Sequence, residues 1–278
     1  MQSQWEEPPV DRSGLHFAMP TLTPVVKWLL IANVGIFLIH HGLFYQTFDS
    51  LFRFVHDAFA LVPELWKSWF PFVPVWQLVT YSFLHGGIGH ILYNLIFLYF
   101  LGTLLEGIVG PRRFLAFYLI AAALAGLAQL VLGLALGQSA PIVGASGGVL
   151  AVACAVATFQ PRMRVIFLIV PMTLKTLVLI YVGIDAFQAL MELKGAGGNV
   201  AHFAHLTGAA VGYLSVKSGW IWRDPLRQVE GWRKRVEQDR RVASEERLDR
   251  LLEKINREGI HALSASERAF LKRASKRR

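Results

Sequence analysis

The sequence contains little cysteine and, over most of its length, little charge. One cysteine, Cys154, occurs among 278 residues, and a lone cysteine cannot form an intramolecular disulfide, so a disulfide scaffold is excluded. Residues 1–218 carry 11 Lys and Arg and 9 Asp and Glu. This charged fraction is far below the quarter, about 25%, that is typical of a soluble domain. Hydrophobic residues make up 54% of the chain, which excludes a disordered or collagen-like protein. The composition predicts that residues 1–218 lie largely in a membrane.

The last 60 residues differ sharply from the rest. Residues 219–278 carry 17 Lys and Arg and 10 Asp and Glu, which accounts for most of the net charge of +9. A basic segment next to membrane helices usually reflects the retention of Lys and Arg in the cytoplasm and their attraction to anionic lipid. We therefore expect partners in the lipid bilayer, with anionic lipid at this basic tail, and no nucleic acid.

Long uncharged stretches predict membrane helices, each of which needs about 20 residues to span a bilayer. The expected fold is an all-α membrane protein: a six-transmembrane-helix bundle with a small cytosolic helical C-terminal extension. The predicted spans are roughly residues 25–44, 88–107, 113–136, 145–160, 172–191 and 201–217. The predicted domains are a cytosolic N-terminal segment 1–24, a core 25–217 and a basic cytosolic tail 218–278. The stretch from Ser68 to the second span is predicted to be a loop lying on the membrane.

Lys and Arg are distributed unequally between the connecting segments, and this asymmetry predicts the orientation. One set of segments holds only three basic residues, Arg53, Lys67 and Lys194. The other set is more basic, so both termini are expected in the cytoplasm. Helices two, four and six then begin near the outer face.

The tail has helical periodicity. Leu248, Leu251, Leu252 and Ile255 recur at helical spacing, and Gly259 is a plausible end. Residues 264–267 form a capping-box pattern that predicts a second short helix. The alternative is a solvated charged tail without fixed structure.

Polar residues inside a membrane are candidates for function because their burial is costly. Here they occur at the starts of helices two, four and six, and therefore at similar depth. His90 and Asn94 are four residues apart and share a helix face, Ser146 begins the fourth helix, and His205 lies near the start of the sixth.

These residue types suit acyl transfer. A helix N-terminus at Ser146 offers unpaired N–H groups to a developing oxyanion, and Gly208 on the face of His205 permits close helix approach. Ser146 and His205 are therefore predicted as nucleophile and base, with His90 and Asn94 as oxyanion donors. Two alternatives remain: Ser146 as one more small residue at a helix contact, and His202 as the base.

Several histidines could instead bind a metal, but the His-Glu-x-x-His motif of zinc peptidases does not occur. We expect no metal and no cofactor. Asp185 is the one aspartate in a predicted span, whereas an intramembrane aspartyl protease needs two. Asp185 and Glu106 are expected to be structural partners of polar groups in the bundle.

Three signatures resemble those of rhomboid intramembrane serine proteases: HGGIGHILYN at residues 85–94, GASG at residues 144–147 and HLTGAAVG from residue 205. Gly102, Glu106 and Gly110 match the family's GxxxExxxG pattern. The resemblance covers roughly residues 25–217. It implies that Ser146 attacks a peptide bond, with His205 as base and acid and no acidic third member. It also implies an oxyanion held by His90, Asn94 and the Ser146 N–H, supported by His85, Gly144, Gly147, Glu106 and Gly208.

The resemblance further implies that the substrates are membrane proteins, cut in or next to a spanning segment that unwinds easily. The expected location is a cell membrane, with several passes and the active site near the outer face, in the bacterial inner membrane. The rival hypothesis is a non-catalytic rhomboid-like protein that recruits membrane clients, which should have lost the serine or the histidine.

Two positions depart from the family pattern. Gln77 stands where some members have an arginine that anchors the first outer loop, and Leu150 stands where many have an aromatic residue packed on the histidine. We expect a loop that lacks this anchor and a histidine ring that is held less firmly.

Overall fold

The computed structural model describes residues 20–44, 48–167, 169–194 and 201–275. These residues are mostly helical and divide into two compact units, one up to Arg223 and one from Asp224 onward.

The first unit consists of helices with one short β-hairpin. Its helices are α1 (Pro24–Phe37, continued by the π-helix Leu38–Phe44), α2 (Asp49–Phe59), α3 (Pro63–Ser68), α4 (Gln77–Thr80, followed by the 3-10 turn Tyr81–Phe83), α5 (Ile88–Phe97), α6 (Thr103–Val109), α7 (Pro111–Ala135), α8 (Ser146–Phe159), α9 (Leu174–Leu193) and α10 (His202–Lys217, followed by the 3-10 turn Trp220–Trp222). The π-helix Leu98–Gly102 joins α5 to α6 without a break. Strands β1 (Arg164–Phe167) and β2 (Val170–Thr173) pair antiparallel, with Arg164 opposite Thr173.

Four segments are long and apolar enough to cross a membrane by length and composition: Pro24–Gly42, Ile88–Val109, Pro111–Ala135 and Leu174–Leu193. The other two predicted spans correspond to the shorter helices α8, with 14 residues, and α10, with 16. Large apolar side chains such as Trp28, Ile88 and Phe187 are exposed on the spans. An exposed apolar surface of this kind suits lipid rather than water, and the protein is a membrane protein.

The segment between the first two spans is more ordered than the sequence predicted. The stretch expected as a loop contains α4 and the turn Tyr81–Phe83. Helix α2 was not predicted, because Arg53 and Asp57 interrupt its apolar residues. The β-hairpin was not predicted either, and it delays the start of α9 to Leu174.

Glu106 connects two spans at their ends. Helix α1 has no capping side chain of its own, and the buried carboxylate of Glu106 takes that place. It accepts hydrogen bonds from the N–H groups of Val25 (3.0 Å) and Val26 (2.9 Å) and from the Thr23 hydroxyl. A carboxylate at a helix N-terminus is favoured by the unpaired N–H groups and the helix dipole. The expectation that Glu106 is a structural partner of polar groups is confirmed.

Helices α8 and α10 pack with their backbones in contact. A Cβ atom at Gly208 would overlap the carbonyl oxygen of Gly147, and one at Gly212 would overlap that of Ala151. Gly147 is in turn confined by the Ala125 side chain of α7. Small residues at these positions allow the closest approach that two membrane helices can make.

The second unit contains α11 (Pro225–Glu258) and α12 (Ala265–Ser275), joined by a 3-10 turn at Ile260–Ala262. Gly259, with φ of +81°, ends α11 at the predicted position. Before α12 the Ser264 N–H donates to Glu267 (2.7 Å) and the Glu267 N–H donates to the Ser264 hydroxyl (3.3 Å). This is the predicted capping box, and these bonds lower the pKa of Glu267.

The contact at Gly212 generates a stability prediction. Gly212→Ala should lower the free energy of unfolding by about 1–3 kcal/mol, the usual cost of overpacking, because the new methyl group meets backbone that cannot yield. Gly107→Ala is the matched control, because a Cβ there meets nothing within 4 Å and alanine is the better helix former. Thermal unfolding in detergent measures both variants. Equal stability of the two would contradict the packing argument.

Candidate active site

Ser146 is the first residue of α8, and its neighbours determine its setting. Gly144 has φ of +122°, and a Cβ atom there would overlap the His90 ring, so only glycine fits both the backbone and the space. The Gly144 N–H donates to the Tyr81 carbonyl (3.0 Å), which attaches the segment to the turn after α4. Ser146 is half-buried at the N-terminus of a helix, where N–H groups lack partners within the helix.

His205 lies within hydrogen-bonding distance of Ser146. Its Nε2 atom is 2.7 Å from the Ser146 Oγ atom. The contact follows from the packing of α8 on α10, because Gly208 lies one turn after His205 and meets the Gly147 carbonyl, next to Ser146. The structure therefore brings the predicted nucleophile and base together. His202, the alternative base, contacts Asp185 instead.

Asp185 occupies the other side of His205. Its carboxylate oxygens lie 3.1 and 3.2 Å from the His205 Nδ1 atom and 2.7 Å from the His202 Nδ1 atom. The dyad was predicted without an acidic third member, whereas the structure places a carboxylate against His205. A signal was available, because an acidic residue in one span and two histidines in the next are natural partners inside a membrane.

The His205 ring also has an aromatic neighbour. The Tyr181 ring, one turn before Asp185 on α9, lies 6.1 Å from it between centroids. Leu150 leaves the position after the serine without an aromatic ring, yet both nitrogens of His205 have hydrogen-bond partners. The structure thus supplies His205 with contacts from α9, and the expectation that the ring is held less firmly than in members with an aromatic residue stays a prediction.

A cavity of about 400 Å³ opens over Ser146. Its lining includes both predicted oxyanion donors, His90 and Asn94, together with His205. The Asn94 side-chain amide donates one N–H to the His90 carbonyl (2.9 Å), and because an amide nitrogen carries two N–H groups, the second is left for a group in the cavity. Hydrogen bonds of this kind often form only in the substrate complex.

His85 and Gln77 support the walls of the site. His85 is buried, and its ring packs edge-on against His90 with centroids 5.1 Å apart. The buried Gln77 side chain accepts from the Val62 N–H (3.2 Å) and the Trp66 indole (3.1 Å) and donates to the Asp57 carbonyl (2.8 Å). Gln77 therefore attaches α4 to the segment from Asp57 to Trp66, at the position where some family members have an arginine.

Asp185, His202 and His205 form the one group, within the described part of the chain, whose ligand atoms are close enough for a metal ion. The hydrogen bonds between the carboxylate and the two imidazoles already provide partners for these atoms. The carboxylate and the two imidazoles thus form a hydrogen-bonded cluster, and Ser146 lies on the far side of His205 from it.

Two family models match the chain. A model of the rhomboid domain matches residues 74–220, which is more than half of the chain and includes every predicted site residue. A model of a family of unknown function (DUF6576) matches residues 235–277.

The curated relatives that match the chain are also named as rhomboid-like proteins. The rat presenilin-associated rhomboid-like protein, mitochondrial, is 29% identical over 157 residues, covering 53% of this chain and 40% of the relative. From Arabidopsis thaliana, RHOMBOID-like protein 12, mitochondrial, is 30% identical, covering 69% and 57%, and Rhomboid-like protein 11, chloroplastic, is 31% identical, covering 69% and 64%. The matches thus span between two fifths and just under two thirds of these relatives.

Mitochondria and chloroplasts are the compartments in the names of these relatives, so the expected bacterial inner membrane is not supported by them. The resemblance seen in the three signatures is confirmed, because one domain model covers all of them in order. A chain with this domain, these membrane helices and this arrangement of Ser146 and His205 belongs to the rhomboid family.

Proposed function

We propose that this protein is an intramembrane serine endopeptidase that cleaves membrane proteins in or near a transmembrane segment. The observation that carries the proposal is the 2.7 Å contact between His205 Nε2 and Ser146 Oγ in a cavity at the start of α8. Family membership supports it. The distance suits proton transfer from a serine to a general base.

In the proposed reaction, Ser146 Oγ attacks the substrate carbonyl carbon while its proton moves to His205 Nε2. The tetrahedral intermediate carries a negative oxygen, stabilised by the Ser146 N–H and by donors from His90 and Asn94. His205 then protonates the leaving amine as the C–N bond breaks. Water, deprotonated by His205, cleaves the remaining ester and regenerates Ser146.

A non-catalytic, client-recruiting rhomboid-like protein is the alternative. Such a protein has no need for the serine and histidine to face each other across two helices. Here both residues are present and in contact, which favours the enzyme.

The proposed topology has six membrane helices and both termini in the cytoplasm. Helix α8 has 14 residues, about 21 Å at ~1.5 Å per residue, and a hydrocarbon core is ~30 Å thick. Ser146 would then lie below the outer surface, where a substrate segment must unwind to expose a peptide bond. In this topology residues 218–278 form a cytosolic domain, and their basic residues would contact anionic lipid.

Substitution of the reacting residues tests the proposal. Ser146→Ala and His205→Ala should each lower turnover of a single-span test substrate at least 1,000-fold, and the double variant should be no worse, because the pair acts as a unit. Ser215→Ala is the matched control: it removes a buried serine of α10 that bonds only within its own helix (2.9 Å to the Gly212 carbonyl). Turnover by purified protein in liposomes is the measurement. Wild-type rates in Ser146→Ala would refute the proposal.

The oxyanion donors have a separate test. His90→Ala and Asn94→Ala should each reduce kcat by roughly 10- to 1,000-fold with little change in KM, because such donors act in the transition state. Asn33→Ala should leave kcat unchanged, although Asn33 is equally buried and its amide makes the same bond within the helix (2.7 Å to the Leu29 carbonyl). Full activity in both His90→Ala and Asn94→Ala would show that the oxyanion is held elsewhere.

The second unit contains no residue of the proposed reaction. Truncation after Asp224 should therefore keep turnover in detergent within about threefold of the full chain, under ~0.7 kcal/mol in barrier height. Turnover of the purified truncated protein at matched substrate concentration is the measurement. A hundredfold loss in protein that is still folded would show that the tail supports catalysis.

A further inference from the structure

The buried carboxylate of Asp185 lies between two imidazoles. Its side chain is 5% exposed, and those of His205 and His202 are 7% and 12% exposed. Both imidazoles contact the carboxylate through their Nδ1 atoms, at 2.7 to 3.2 Å. The other ring nitrogen of His205 faces Ser146.

This arrangement determines where the protons are. An ionised carboxylate can only accept hydrogen bonds, so the Nδ1 atom of each facing neutral imidazole must carry a proton. A neutral imidazole carries one ring proton, and the Nε2 atom of His205 is then left with a lone pair. That lone pair is directed at the Ser146 hydroxyl. A general base requires this tautomer of the imidazole.

We propose that Asp185 is the positioning residue of the reaction: it holds His205 in the reactive tautomer and orientation and stabilises the imidazolium that forms when Ser146 loses its proton. This inference rests on the proposed function and extends it from two residues to three. Asp185 exchanges no atoms with the substrate. The proton passes between Ser146, His205 and the leaving group, and the Nδ1 proton stays on His205 throughout.

The other buried acids of the first unit have different tasks. Glu106 caps α1, and Glu192, near the end of α9, accepts a hydrogen bond from the Gln138 amide. Asp185 instead contacts the proposed base. Its helix, α9, packs on α10, so the carboxylate reaches His205 from the side opposite to Ser146.

His202 has a secondary part in this scheme. Its Nδ1 atom contacts one oxygen of Asp185, while the other oxygen is closest to His205. Two N–H donors on one buried carboxylate favour its ionised form, because hydrogen bonds offset part of the lost hydration. His202 therefore supports Asp185 without contacting the serine.

The test uses the full-length protein in liposomes, with two readouts. Asp185→Asn should lower kcat for a single-span substrate by between about 10- and 10,000-fold. The upper limit is about the loss caused by an acid-to-amide change in a Ser-His-Asp protease. KM should change less than threefold. The maximal rate at which a fluorophosphonate labels Ser146 should fall by a similar factor, while the half-saturating concentration of the fluorophosphonate should not change. This readout needs no substrate.

Three further variants separate positioning from folding. The kcat of Asp185→Glu should be at least tenfold higher than that of Asp185→Gln, because the Glu and Gln side chains match in size and differ in charge. This pair decides the matter if Asp185→Asn does not fold. His202→Ala should lose less than Asp185→Asn, because the contact between Asp185 and His205 remains.

The outcomes distinguish the two proposals. If Ser146→Ala is inactive while Asp185→Asn stays within threefold of wild type, the role of Asp185 is refuted and the protease remains. Equal activity of Asp185→Glu and Asp185→Gln, or a loss in His202→Ala as large as in Asp185→Asn, also overturns it. If Ser146→Ala cleaves and is labelled like wild type, the proposed function itself fails.

Discussion

The contact between the backbones of α8 and α10 is the constraint on which the site depends. Glycines at 208 and 212 bring α10 against the main-chain carbonyls of Gly147 and Ala151, so main-chain atoms set the spacing at these points. Ser146 and His205 are each within one turn of this contact, and their 2.7 Å separation follows from it. Close packing in proteins tolerates little change in volume, so one added methyl group in this interface would move a reacting residue.

A membrane interior imposes a second constraint, because a polar group there needs a partner from the protein. Glu106 satisfies the free N–H groups of α1, and Gln77 connects three points of the outer loop. Asp185 binds two histidines. Each of these side chains links segments that are distant in sequence. In this fold buried polar residues link distant segments in addition to the apolar core, while exposed apolar residues make the surface that suits lipid.

The sequence could predict those features that depend on local patterns. Uncharged runs located six helices to within a few residues, four of them long and apolar enough to cross a membrane, and the motif around Gly144 and Ser146 indicated the proposed nucleophile. Helix α2 escaped prediction because charged residues interrupt its apolar ones, and the β-hairpin because its strands, of four residues each, belong to the apolar stretch that leads into α9. The contact between Asp185 and His205 joins residues on two helices, and its existence depends on how those helices cross. Spacing along the chain carries no information about that crossing angle.

The cavity over Ser146 has a consequence for the supply of the second reactant. Peptide hydrolysis consumes one water molecule per bond, and hydrocarbon holds almost none. A volume of about 400 Å³ far exceeds the ~10–15 Å³ that one water molecule needs, so the cavity has room for several. The side chains of His90, Asn94 and Gln129 on its walls can keep such molecules hydrogen-bonded. In the proposed reaction, water held in this cavity would lie beside the acyl-enzyme that it hydrolyses.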